Sequence, residues 1–140
     1  MITKLCIAAA LMALCVMIHA MGIVSEFRMV QRWAGKARDF WPSTLMLIRI
    51  ACFTVFLHLL QIVVWAIMYA WRGAMPDFTT AAYFSAVTYT TTGYGDLVLP
   101  EAWRLVGGVE ALTGILMCGL STGMFFAAFS AMFGLNRSES

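Results

Sequence analysis

Few groups in this chain are able to do chemistry, and most of them gather in one place. Residues 90–96 read Thr-Thr-Thr-Gly-Tyr-Gly-Asp and lie between two apolar stretches. Hydroxyls and backbone carbonyls are oxygen donors, the ligands that a cation needs once it has shed its water shell. Turning successive carbonyls to one side calls for backbone angles that residues with a Cβ resist, and Gly93 and Gly95 relieve that restriction. A plain Gly-Tyr-Gly turn joining two membrane helices, with Asp96 as a turn residue, would use the same letters. Other chemistry finds no constellation. His19 and His58 fall on different apolar runs, no paired carboxylates occur, and no glycine-rich phosphate loop follows a strand. Cys6, Cys15, Cys52 and Cys118 lie in apolar runs without Cys-x-x-Cys spacing. That argues against a disulfide framework or zinc site and for small buried hydrophobes. No enzyme, no cofactor and no nucleic-acid partner is expected.

Composition sets the solvent around these groups. The chain has 140 residues, 62% hydrophobic and 11% charged, with mean hydropathy +0.85. A water-soluble domain carries about a quarter charged residues. This chain belongs in a lipid bilayer, as an all-α membrane protein.

Residues 1–24 form an almost unbroken apolar run of spanning length. Lys4, the apolar centre and Ala20 would also suit a signal peptide. Residues 25–43 read as an interfacial amphipathic helix. Phe27, Val30, Trp33, Ala37, Phe40 and Trp41 recur at helical spacing, opposite Arg28, Arg32, Lys36 and Arg38. Ser25 and Glu26 suit its first turn, Pro42 stops it or begins the next element, and a basic loop is the plainer alternative. Residues 44–71 make a second span. Arg49 near one end can snorkel, and Trp65, Tyr69 and Trp71 form an aromatic belt at the other. His58 and Gln61 lie well inside the hydrocarbon and should face protein, in a packing contact rather than a proton relay.

Residues 79–90 are apolar, hydroxyl-rich and too short to cross a membrane; the loop 91–96 follows, and residues 105–133 form the last span. There Gly119, Gly123, Ala127 and Ala131 recur every four residues, a stripe that lets helices approach closely in lipid. Glu110 lies inside this span, where a carboxylate faces protein or water. A strut reaching Thr88 or Gln61 is expected, with an ion-attracting site as the alternative. Residues 135–140 are a short tail.

Thr91-Thr92-Gly93-Tyr94-Gly95-Asp96 and the preceding Tyr83-Phe84-Ser85-Ala86-Val87-Thr88 resemble the pore-loop potassium channel family, whose filter usually reads Thr-Val-Gly-Tyr-Gly. The last helix, with Glu110-Ala111-Leu112-Thr113-Gly114 and Leu120-Ser121-Thr122-Gly123-Met124-Phe125-Phe126, looks most like bacterial inward-rectifier channels. The resemblance covers roughly residues 25–133. It implies a pore module over residues 44–134, with outer helix 44–71, re-entrant pore helix 79–90, filter 91–96 and inner helix 105–133. Four such loops surround one ion, so a four-fold homotetramer is implied.

The resemblance also assigns roles. K+ would be held by the carbonyls of Thr91, Thr92, Gly93 and Tyr94 and the Thr91 hydroxyl, with Gly95 completing the filter. Tyr94 would point away from the axis, Tyr83 and Phe84 would pack around it as a cuff, and Val87, Asp96 and Glu110 would support it. Gly114 and Gly123 become candidate hinges and Phe126 a candidate apolar gate ring that closes by dewetting. Some relatives carry Glu where Val87 stands, so a carboxyl pair with Asp96 is missing here. Cys118 occupies the place of an acid in strong rectifiers, so no strong polyamine block is expected.

In that family the filter enters from the outer side and the flanking spans end in the cytoplasm. Arg28, Arg32, Lys36, Arg38 and Arg49 then lie inside, against Arg72 and Arg104 outside. An uncleaved first span fits this parity, whereas cleavage would leave the basic segment outside. The extra first span, the missing cytoplasmic β-domain and the missing arginine-rich voltage helix are departures, and no gating stimulus is implied. The expectation is passive conduction of K+, a permeant ion rather than a cofactor, across a bacterial inner membrane. A poorly selective monovalent cation channel (Thr92 replaces Val) and a non-conducting pore-like scaffold or accessory subunit are the alternatives.

Overall fold

The structure is a computed structural model that describes residues 1–33 and 40–133. In order they form α1 (Ile2–Trp33), α2 (Phe40–Trp71), α3 (Phe78–Tyr89), a 3-10 turn (Glu101–Trp103) and α4 (Arg104–Phe133). Three stretches, Ile2–Arg32, Phe40–Trp71 and Glu101–Met132, are long and apolar enough to cross a membrane. Bilayers force such segments into helices because lipid offers nothing to bond a free N–H or C=O. The 32 residues of α1 and of α2 extend about 48 Å at 1.5 Å per residue, against about 30 Å of hydrocarbon. Both therefore tilt or run on into the headgroups. α3, with 12 residues, reaches only about 18 Å and cannot cross.

The helices α1 and α4 lie parallel, with α2 antiparallel to both. At one end Lys4 Nζ sits 4.4 Å from the Trp103 ring centroid, joining the starts of α1 and α4. At the other, Val30 of α1 packs with Met46 and Ile50 of α2 and with Met124, Ala128 and Met132 of α4. Between these ends a larger cluster gathers Cys15, Trp65, Tyr69, Phe84, Tyr89 and Met117 from all four helices. Tyr69 meets Phe84 edge-on at 5.4 Å, an arrangement aromatic pairs favour.

The sharp return from α2 to α3 has a local cause. Gly73 adopts φ +65; its N–H bonds the Ala70 carbonyl (3.1 Å) and the Ala74 N–H bonds the Tyr69 carbonyl (2.9 Å). These are the two bonds that close a helix on a left-handed residue. Asp77 then starts α3 from extended backbone, accepting from the Thr80 N–H at 2.8 Å and from the Thr80 hydroxyl at 2.8 Å. Those bonds favour the ionised carboxylate and hold the exposed Asp77 below the usual acid range.

Several expectations are corrected by these contacts. No separate interfacial helix begins at Ser25: α1 runs unbroken to Trp33, and the Ser25 hydroxyl donates to the Gly22 carbonyl (2.7 Å) instead of capping a new start. Pro42 sits in the first turn of α2, where a missing N–H is harmless, so the outer helix begins at Phe40 rather than residue 44. Lys36, Ala37, Arg38 and the tail 135–140 lie outside the described residues. Arg49 pairs with Glu26 of α1 at 2.6 Å. Trp65 and Tyr69 are fully buried, leaving Trp71 alone of the expected belt facing outward. Of the cysteines only Cys15 is buried.

Candidate functional site

The loop after α3 departs from ordinary backbone in a regular way. Thr91 (φ 59), Gly93 (φ 52) and Gly95 (φ 79) are left-handed, whereas Thr92 and Tyr94 between them are not. In an extended strand successive carbonyls alternate sides; reversing the handedness at every second residue removes that alternation. Glycine takes this conformation freely, and Thr91 takes it against a steric penalty of about 1–2 kcal/mol. That strain is held by the end of α3. The Thr91 N–H bonds the Thr88 carbonyl (2.9 Å) and the Gly93 N–H bonds the Val87 carbonyl (3.0 Å). The Thr90 hydroxyl donates to the Ala86 carbonyl (2.7 Å) and lies 2.9 Å from the Thr92 hydroxyl.

Around this loop the side chains fall into two sets. Asp96 accepts from the Tyr83 hydroxyl at 2.7 Å, tying the far end of the loop back to the middle of α3. Phe84, on the other side of α3, packs into the core against Tyr69, while Tyr94 is 71% exposed. Within one chain Tyr83 and Phe84 therefore do not close together on Tyr94. Val87 contributes through its carbonyl, and its half-buried side chain makes no polar contact.

Glu110 is fully buried on α4. Its partners are the Tyr69 hydroxyl at 2.8 Å and the Ser85 hydroxyl. Neither Thr88 nor Gln61 reaches it, because α3 presents Ser85 to that part of α4 and Gln61 turns to other partners. Ser85 also lies 2.9 Å from the Ile62 carbonyl. One carboxylate thus gathers α2, α3 and α4. Tyr69 and Ser85 escaped the sequence reading, although Gln61, Trp65 and Tyr69 recur every four residues as an inward stripe should.

The gating candidates separate. A Cβ at Gly114 would land on the Tyr89 carbonyl, so α4 touches the backbone at the foot of the loop only because residue 114 is glycine. Gly119 and Gly123 have open space around them within the chain, and Phe126 is 69% exposed. The small-residue stripe of α4 consequently faces away from the chain's own helices.

Comparison with known proteins agrees with this architecture. Residues 58–131, more than half of the chain, match the family described as "Ion channel". The potassium voltage-gated channel protein Shal of Drosophila melanogaster is 41% identical over 59 residues, which are 41% of this chain and 10% of that protein. The chain thus spans about a tenth of that relative's length. No solved structure matches it. With three apolar helices of spanning length and a matched segment that contains the short helix, the left-handed loop and most of α4, the chain is an integral membrane protein of the ion-channel family.

Proposed function

We propose that this protein is a potassium-selective channel, working as a homotetramer whose four copies of residues 91–96 surround one file of ions. The observation that carries the reading is the alternation of backbone handedness through Thr91, Gly93 and Gly95, directly after a capped helix too short to cross the membrane. Carbonyls of Thr91, Thr92, Gly93 and Tyr94 turned to one side replace the water shell of K+, and the Thr91 hydroxyl adds a further oxygen. Residues 91–96 are all exposed in the single chain, as expected of a loop that needs three more copies to complete its site. The exposed face of α4, with Leu112, Ile115 and Phe126, supplies apolar surface for those copies. The similarity to a protein named as a potassium channel supports the choice of ion.

Conduction is passive. Sites must bind well enough to admit an ion and weakly enough to release it, which adjacent occupied sites achieve by repulsion. Tyr83–Asp96 and Glu110 with Ser85 and Tyr69 hold the loop from behind. Phe126 and Gly123 serve as the gate ring and hinge of the inner helix, and the resemblance of that helix supports a bacterial inner membrane as the protein's location. The test is K+ against Na+ flux through purified protein in liposomes, with G95D alongside. K+ uptake without Na+ uptake, lost in G95D, is the expected result. Equal uptake of both ions would replace this reading with a poorly selective cation channel. A folded tetramer that passes neither ion, and is indifferent to G95D, would leave a scaffold.

A further inference from the structure

All four helices send a polar side chain into one ring, fully buried at His19 and Gln61 and half-buried at His58 and Ser121. Gln61 Nε2 lies 2.9 Å from His19 Nδ1. His19 Nε2 lies 2.9 Å, and His58 Nε2 3.0 Å, from Ser121 Oγ. His58 Nδ1 lies 3.0 Å from the Tyr89 hydroxyl, which donates to Gln61 Oε1 at 2.7 Å. His19 and Gln61 are fully buried and the two imidazole centroids are 5.1 Å apart.

With the Gln61 amide nitrogen toward His19 and its oxygen toward Tyr89, the hydrogen positions follow from the partners. An amide nitrogen only donates, so His19 Nδ1 is bare and its Nε2 carries the hydrogen, which goes to Ser121. Tyr89 spends its one hydrogen on Gln61, so His58 Nδ1 carries a hydrogen and donates it to the phenol oxygen. A neutral His58 then has a bare Nε2, which accepts from the Ser121 hydroxyl. All five bonds run in one sense around the ring, with two neutral histidines in opposite tautomers.

Only one place in this ring accepts a further proton without leaving a donor unmatched. His19 cannot take it, because its bare nitrogen faces an N–H. His58 can: Ser121 Oγ also lies 3.0 Å from the Met117 carbonyl, so its hydrogen can swing there and its oxygen then accepts from both imidazoles. His58 is also the accessible member, half-buried and lining an open crevice between α2 and α4 with Cys118, Ser121, Thr122 and Phe125. The titratable groups facing it are His19 from α1, the Tyr89 phenol from α3 and the Cys118 thiol from α4. Cys15 and Glu110 act on the same phenol from further off, and Glu110 is engaged by Tyr69 and Ser85. Among the described residues no paired counter-ion stands beside His58.

We propose that the ring is a proton sensor: His58 binds one proton, and the channel whose ring is protonated conducts K+ poorly. This rests on the channel reading above. The new charge would appear in the crevice that reaches Cys118, the residue that the resemblance places at the ion cavity, and would repel cations there. It would also act on Tyr89, whose hydroxyl belongs to the ring and whose carbonyl abuts Gly114 at the foot of the filter.

The test has two readouts. The chain holds two histidines, so a tetramer labelled with 15N-histidine reports the ring alone. At pH about 8 one imidazole should be the Nε2–H tautomer and the other Nδ1–H, and on titration to pH about 5 the Nδ1–H ring, His58, should become imidazolium first. H58Q assigns the signals by removing one. Two identical tautomers, or His19 protonating first, would overturn the proposal. In liposomes, K+ flux should fall at least about threefold over the same pH range and become insensitive to pH in H58Q. Should H58Q fail to assemble, S121A, which removes the oxygen both imidazoles share, carries the same expectation. Flux that is flat or rises on acidification, or a variant that keeps the acid response, overturns it. Absence of flux at every pH counts against the channel reading, and the tautomer titration then decides the ring.

Discussion

Replacing Gly114 by alanine tests whether the contact between α4 and the foot of the loop matters. The added methyl would stand 2.8 Å from the Tyr89 carbonyl carbon and 3.3 Å from its Cα, and closer still to the oxygen. Unstrained carbon contacts lie at about 3.5–4.0 Å, so α4 and the end of α3 must separate by roughly 1 Å. Both partners are backbone, so no rotamer change relieves the overlap. Overpacking of this kind costs about 1–3 kcal/mol. At about 1.4 kcal/mol per tenfold, the folded state should be roughly five- to 150-fold less favoured. Gly108→Ala, also on α4, is the control: among the described residues nothing lies within 4 Å of its new methyl. Alanine there should be neutral or stabilise the helix by up to about 1 kcal/mol. The assay is thermal loss of the folded protein in detergent, read by size exclusion, with K+ flux at a temperature where both variants remain folded. G114A should melt earlier and pass less K+ or lose selectivity. If G114A matches G108A in both measurements, the close approach carries no weight and the reasoning fails. If G114A is as stable as wild type but gates differently, Gly114 is a hinge rather than a contact.

Three further substitutions probe the surroundings. Glu110→Gln should keep most of the K+ flux, whereas Glu110→Leu leaves the Tyr69 hydroxyl without a partner and should cost about 1–3 kcal/mol, partly recovered by adding Tyr69→Phe; loss of selectivity in E110Q would refute the strut. Arg49→Ala strands the buried Glu26 carboxylate, whose second oxygen already has no partner among the described residues; because Arg49 is partly exposed, a loss of about 1–3 kcal/mol is expected, less in the double variant with Glu26→Gln. Asp77→Ala should lower thermal stability at neutral pH. The folded carboxyl lies below its unfolded value, so its stabilisation is present above the unfolded value and disappears as pH falls through the folded one. Wild type and variant should therefore converge in acid, and a gap that persists there would show that the Thr80 bonds are not its source.

The spans and the short helix were legible because they depend on length and apolarity, which need no partner. The left-handed loop was legible through Gly93 and Gly95, although Thr91 as a third left-handed residue was not, since nothing in a threonine announces that angle. Partners were harder. Glu110 was expected to meet Thr88 or Gln61 and instead meets Ser85 and Tyr69. When every face of a helix is apolar, periodicity no longer tells which face turns inward, and the few polar residues can be paired in several ways. The Ser25 boundary failed for a related reason: basic residues at helical spacing describe the protruding end of a long helix as well as a helix lying flat, and no breaker stood between them.

The ring that joins the helices also bears on how the protein is made. His19 and Ser121 are 102 residues apart, and at about 5–20 residues per second a ribosome needs roughly 5–20 s to deliver the second after the first. Throughout that interval α1 has already left the translation machinery with a histidine in its apolar face and only Gln61, arriving midway, to bond it. The parallel pairing of α1 with α4 thus withholds the finished packing until α4 has been made. A chain interrupted between the loop and α4 would hold a pore loop whose foot has neither Gly114 nor Glu110 against it, and such a fragment should be a substrate for membrane proteases rather than a leaky pore.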